Sequence, residues 1–268
     1  TAVGLIYLKN GQFGEALKYF EKSIQRDVSF YKAWYFKGLA QLWLGDLQDA
    51  EKSLNRSSYD LGYYGAAHFE LAQLTASQGR YERALEHIGR SINGNGDNAQ
   101  AYAVKALILN RLARHEQALA VAEQVQRMDP MDFLSLTEKY YALTNLGRNA
   151  EAQEVYDQAL RLSRLDNENF LELAIRYARC GQYRHAVRIL GILEEKTDNV
   201  SPMVYYYLAY YHNFLGDSAQ AAGYLAKGSA ASARYCFPSR LESLPVLSWA
   251  IEQAPQDAVL QYTEGGQD

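Results

Sequence analysis

The side chains best suited to metal binding or nucleophilic chemistry are five histidines, His68, His87, His115, His185 and His212, and two cysteines, Cys180 and Cys236. Their spacing argues against both uses. No histidine falls in an HExxH pattern, and the cysteines stand far apart with no CxxC, so neither a zinc site nor a dithiol site is indicated. The carboxylate pairs Glu194-Glu195 and Glu168 with Glu172 could in principle supply a general acid and base, but their helical spacing places them on solvated faces. No GxGxxG, GxxxxGK[ST] or GxSxG run occurs. With no nucleophile beside a base, the expectation is a non-catalytic chain with no catalytic, cofactor-binding or metal-ligating residues and no cofactor.

Composition narrows the partners. The 268 residues carry 27 Lys+Arg against 31 Asp+Glu, a net charge of −4, so no overall basic surface is present to collect phosphates and nucleic acid is not an expected partner. Hydrophobic residues at 48% and charged residues at 22% describe a folding chain, not a disordered one. The longest apolar runs, such as Val204 to Tyr211, fall short of the roughly 18 residues of a membrane span, so membrane insertion is not expected. The compartment expected is the cytoplasm. The chain begins at Thr1, inside what reads as a helix, so it looks excised from a longer polypeptide.

What must position any functional side chain is a repeat. Gly11, Gly45 and Gly79 are followed at the same interval by Ala113, Gly147 and Gly181, and then by Gly216 one residue late. Five residues beyond each comes an alanine: Ala16, Ala50, Ala84, Ala118, Ala152, Ala186 and Ala221. Between these markers apolar residues recur at helical spacing, as in Ala16, Leu17, Tyr19, Phe20 and Ile24 of the segment Glu15–Ile24, giving two helices per unit. The glycine ends the first helix because it adopts a left-handed cap at no steric cost. Ala113 must accept that geometry with a Cβ or bend differently, so its turn is expected to be the least regular. The alanine marks a close crossing of the two helices.

The period, with Ala33-Trp34, Gly38, Gly45-Asp46 and Ala50 in one unit and Phe170, Leu173-Ala174, Tyr177, Gly181 and Ala186 in another, resembles the tetratricopeptide repeat. The resemblance implies an all-α, right-handed α-solenoid of about seven helix-turn-helix units: 1–30, 31–64, 65–98, 99–132, 133–166, 167–201 and 202–235. Residues 236–268 form an irregular C-terminal helical cap and tail. Here Ser239 and Glu242 have capping-box spacing, and Pro245 either kinks the helix or moves its start to Ser243. Asp257-Ala258 could open one more helix.

Family geometry further implies that a concave groove is lined by inner positions of each first helix. Those candidates are Tyr35, Leu39, Leu42, Trp43, Phe69, Gln73, Asn110, Arg111, Tyr141, Asn145, Tyr206, Tyr210, Asn213 and Phe214. The set some family members use to grip a peptide carboxylate is absent, since the matching positions hold residues such as Tyr35, Leu39, Glu70 and Ala103. The implied function is a protein–protein interaction scaffold holding a peptide or protein segment, including another domain of the same polypeptide. Whether the tyrosines, 22 in all, bind a partner or pack between repeats is open at this stage. The block Tyr235-Cys236-Phe237-Pro238-Ser239-Arg240-Leu241-Glu242, with Trp249-Ala250, is similar to a stretch of large bacterial proteins whose repeat arrays follow a β-sandwich-like domain. That likeness implies an alternative: an auxiliary helical arm of a carbohydrate-active enzyme whose chemistry lies upstream.

Overall fold

The computed structural model describes residues 1–232, 240–257 and 259–260, and among these it contains fifteen α-helices and no strand. The helices form antiparallel hairpins: α1 (Ala2–Lys9) with α2 (Phe13–Arg26), α3 (Tyr31–Leu44) with α4 (Leu47–Ser57), and α5 (Leu61–Ser77) with α6 (Tyr81–Gly94). There follow α7 (Ala99–Arg111) with α8 (His115–Met128), α9 (Phe133–Asn145) with α10 (Asn149–Ser163), α11 (Asn167–Arg179) with α12 (Tyr183–Lys196), and α13 (Pro202–Phe214) with α14 (Ser218–Ala230). A last helix, α15 (Ser243–Gln253), packs on α13. Contacts divide the chain into two compact units, Thr1–Ala159 and Leu160–Asp268, and the division falls within α10.

One hydrogen-bonded turn builds every hairpin. The residue at the glycine position is left-handed in all seven, and the next backbone N–H reaches back to the fifth preceding carbonyl: Asp46 to Gln41 at 2.9 Å, Arg80 to Thr75 at 2.9 Å, Asp217 to His212 at 3.0 Å. This Schellman closure satisfies carbonyls that the helix end would leave orphaned. Ala113 departs from expectation. It adopts φ 55°, and Arg114 still donates to Leu109 at 2.9 Å, so its turn is as regular as the others. Space explains this: a Cβ built on Gly45, Gly79, Gly147 or Gly216 meets nothing within 4 Å. Glycine there relieves backbone strain, and alanine costs energy without a clash.

The seven marker alanines are all buried, as the close-crossing expectation requires. Their neighbours show why small residues are needed. A Cβ on Gly38 would sit 2.8 Å from Leu54 Cγ, and one on Gly228 2.6 Å from Tyr206 Cε1. Five of the seven first helices, α5, α7, α9, α11 and α13, start on side-chain caps, with Asp132 accepting from the Ser135 N–H at 2.7 Å and Asp166 from those of Glu168 and Asn169. Asp60 does the same for Gly62, so α5 begins at Leu61, four residues ahead of the start at 65 expected from the period.

At the C-terminal end the helix starts at Ser243, the second of the two outcomes foreseen for Pro245, which then falls in the first turn where its missing N–H costs no bond. Asp257 Oδ1 accepts the N–H groups of Val259 and Leu260, the arrangement of a helix cap. Ser239, Cys236 and most of the block 235–242 that carries the second likeness lie outside the described residues, as does the tail from 261.

Candidate functional site

In unit 1 the inner positions hold a run of half-buried rings. Tyr35 lies edge-on to Phe36, centroids 5.2 Å apart, and 5.3 Å from Tyr63. Trp43 stacks on Phe13 at 5.5 Å with the planes 9° apart. Leu39, Leu42 and Phe69 are half-buried beside them, and Asn145 is exposed. Tyr35 and Trp43 keep part of their surface open while a neighbouring ring holds them, the arrangement that lets a rigid side chain bury further area at small entropic cost.

The middle of the unit is polar. Glu138 is fully buried on α9, at the repeat position that holds Phe36 and Val104 elsewhere. Asn110 Nδ2 donates to its Oε2 at 2.7 Å, and the Arg111 Nη2 lies 3.8 Å from the same oxygen. Asn110 Oδ1 meets His115 Nδ1 at 3.0 Å, and the Arg111 guanidinium sits 5.0 Å over the Tyr141 ring. The chain His115–Asn110–Glu138–Arg111–Tyr141 thus compensates a buried carboxylate with an amide and a cation and orients the half-buried Tyr141 ring. A carboxylate this enclosed has no room for a reacting atom, so the network positions and does not react.

In unit 2 the rings at the corresponding positions form a ladder. Phe214, 51% exposed, stacks on Tyr183 at 4.7 Å with the planes 6° apart. Tyr210 stands edge-on to Phe214 at 4.9 Å and to Trp249 of α15 at 5.6 Å. Burial raises the Tyr183 and Tyr210 hydroxyl pKa values above the ordinary tyrosine range, so both remain neutral donors. Asn213 is exposed next to them.

Three expected partner residues are instead interior. Tyr206 is completely buried, and its hydroxyl donates to Asp257 Oδ2 at 2.9 Å. Gln73 and Asn110 are buried as well. The reason for Tyr206 is general to α13, which packs against α11, α14 and α15. Of Tyr205, Tyr206, Tyr207, Tyr210 and Tyr211, the second, third and fifth are buried and the other two only partly covered. A helix with neighbours on three sides has more than one buried face.

The histidines are packing residues. His68 and His87 face each other Nδ1 to Nδ1 at 3.0 Å in the interior, His185 stacks on Tyr177 and His212 on Tyr224. Burial, aided by the nearby Arg90, holds the His68 pKa down to about 4; burial, His68 and the arginines Arg83 and Arg90 do the same for His87. Among the described residues no group of three or more His, Cys, Asp or Glu could hold a metal ion, and no helix is long and apolar enough to cross a membrane.

Stacked helical hairpins with left-handed turns and small residues at each crossing define the all-α helical-repeat class. Residues 2–66 match the family described as Tetratricopeptide repeat, and residues 75–190 that described as Psidin, N-terminal TPR repeats region. A tetratricopeptide repeat protein from Parabacteroides merdae is similar in structure, with a TM-score of 0.58 at 13% identity over 93% of this chain and 96% of that one. Two crystal structures of MamA give TM-scores of 0.57 and 0.55 at 20% and 19% identity; they cover 60% and 61% of this chain and 95% and 89% of their own. Identities this low speak for the fold alone. A search of curated proteins finds no match. The chain is a tetratricopeptide-repeat protein, a class whose members generally serve as protein–protein interaction scaffolds.

Proposed function

We propose that this chain is a non-catalytic scaffold that holds an extended peptide or protein segment against the inner face of its first helices. The observation that carries the reading is the set of half-buried side chains within unit 1, Tyr35, Trp43, Phe69, Arg111 and Tyr141; unit 2, taken by itself, offers the half-buried Tyr210 beside the exposed Phe214. Rings held by stacking yet open on one side are typical hot-spot residues, and the amides and hydroxyls between them supply hydrogen bonds to a backbone. The partner fitting this surface is a segment with spaced apolar side chains. No observation on the described residues favours the carbohydrate-active reading.

Selection of displayed random peptides on the whole chain supplies the probe, and calorimetric titration of the winning peptide into variants supplies the test. Trp43→Ala and Tyr141→Ala are each expected to weaken binding by about ten-fold or more, the effect of losing one hot-spot ring. Binding unaffected by either substitution, in variants that melt like the parent, would remove the inner face from the function.

A further inference from the structure

A second surface, apart from the inner face, lies on the edge of unit 1 where α2 leads into α3 and α4 into α5. Leu61 is 92% exposed and Tyr59 72% exposed, with Val28 and Phe30 exposed on the preceding loop. The two loops meet through their rings: Tyr31 and Tyr59 have centroids 6.5 Å apart, and the Arg56 guanidinium lies 5.6 Å from the first and 5.3 Å from the second. Single exposed apolar residues are ordinary, but a cluster built on two adjacent connections is not.

The arginine gives the patch its chemistry. Three other arginines of unit 1 are paired, Arg80 and Arg83 with Glu51 and Arg114 with Glu82, whereas Arg56 packs on rings instead. Among the described residues Arg56 has no carboxylate partner and makes only its two ring contacts. Asp60, the nearest acid in sequence, turns Oδ1 to the Gly62 N–H at 2.7 Å. Stacking restricts the guanidinium to a plane while leaving its N–H edge for an outside acceptor, and a planar fork of this kind matches a carboxylate. Leu61, Val28 and Phe30, exposed on the segments that carry Tyr31 and Tyr59, add surface that gains by burial.

We infer that this edge docks a partner protein through a segment in which an Asp or Glu side chain is flanked by aliphatic or aromatic residues, the carboxylate meeting Arg56 and the apolar neighbours covering Leu61 and Phe30. The commitment to an acidic peptide rests on charge complementarity: the patch presents one fixed, uncompensated cation within an apolar rim. The site is independent of the inner face, because its residues lie on the connections between hairpins and the helix ends that flank them, and none is among the first-helix candidates named above.

The test uses the whole chain. Displayed short random peptides are selected on the parent and counter-selected on Arg56→Ala, and the survivors are measured by fluorescence anisotropy. The expected survivors carry an acidic residue between apolar ones, bind at least about ten-fold more weakly to Arg56→Ala and to Leu61→Ser, and keep their affinity for Trp43→Ala. Their binding weakens as salt rises. Leu61 is exposed and Arg56 is only partly covered, so melting curves matching the parent are expected to accompany the loss. Survivors without an acidic residue, survivors that bind Arg56→Ala as well as the parent, or no enrichment at all would overturn the proposal. So would a concentration-dependent dimer of the parent in sedimentation that Leu61→Ser abolishes, since a second copy would then cover the patch.

Discussion

Lowering the pH from about 7 to about 5 is predicted to destabilise the α5–α6 hairpin through the His68–His87 pair. In the fold each imidazole titrates near 4, whereas an exposed histidine titrates near 6.5. Between those values the unfolded chain binds protons that the folded pair refuses, so the stability present above pH 6.5 is lost as pH falls towards 4. The loss runs at about 1.4 kcal/mol per pH unit for each group in that window. From pH 7 to pH 5 one histidine accounts for about 2 kcal/mol. The pair contributes less than twice that, because the first added proton makes one imidazole a cation whose N–H donates more strongly to the other across the 3.0 Å contact. The expected loss is about 2–3 kcal/mol.

Urea unfolding followed by helical circular dichroism, run at both pH values on the parent and on the double variant His68→Gln/His87→Gln, isolates this contribution. Carboxylates with no charge contact to the pair, such as Glu151, whose pKa is lowered by its hydrogen bond with Arg148, titrate alike in both proteins and cancel in the comparison. The parent is expected to lose about 2–3 kcal/mol more than the variant over the interval. Equal pH dependence in the two proteins would refute the buried neutral pair, whatever the absolute stability of the variant.

Two further outcomes follow from packing. Ala113→Gly is expected to raise stability by about 0.5–1 kcal/mol in a thermal melt, because relief of the left-handed strain exceeds the added freedom of the unfolded chain; a lowered melting temperature would contradict the strain assigned there. Glu138→Ala removes the carboxylate from Asn110 and leaves the Arg111 cation without its charge partner on α9, at an expected cost of about 3 kcal/mol in urea unfolding. Glu138→Gln, which keeps an acceptor for Asn110, is expected to cost clearly less, and equal costs would show that the charge is immaterial.

The hairpin scaffold was legible because its constraints are local and repeated. A left-handed turn every period and a small residue at every crossing leave marks at Gly45 and Ala50 that need no knowledge of the partner helix. Ala113 was legible as a departure but not as a harmless one, since whether a Cβ fits depends on open space that only the assembled turn defines. The interior polar chain was not readable from repeat position six, because Glu70, Glu138 and Glu172 all occupy it while Phe36 and Val104 hold it elsewhere, and only the fold shows that Glu138 is the fully buried one. Burial of Tyr206 was not readable: it depends on Asp257 and α15, which lie outside the repeat and approach α13 only in the folded unit. Arg56 and Tyr59 escaped notice for a related reason: the ends of hairpins and the connections between them carry little periodic signal, and the Tyr31 and Tyr59 rings that flank Arg56 come from segments distant in sequence.

Hydrogen–deuterium exchange of the whole chain, with and without the peptide selected on it and sensitive to Trp43→Ala, tests the scaffold reading most directly. The account predicts that bound peptide slows exchange in the first helices, α3, α5, α7 and α9, and leaves their partners α4, α6 and α8 unchanged. Protection confined to α4, α6 and α8, or absent from every helix at saturating peptide, would contradict it.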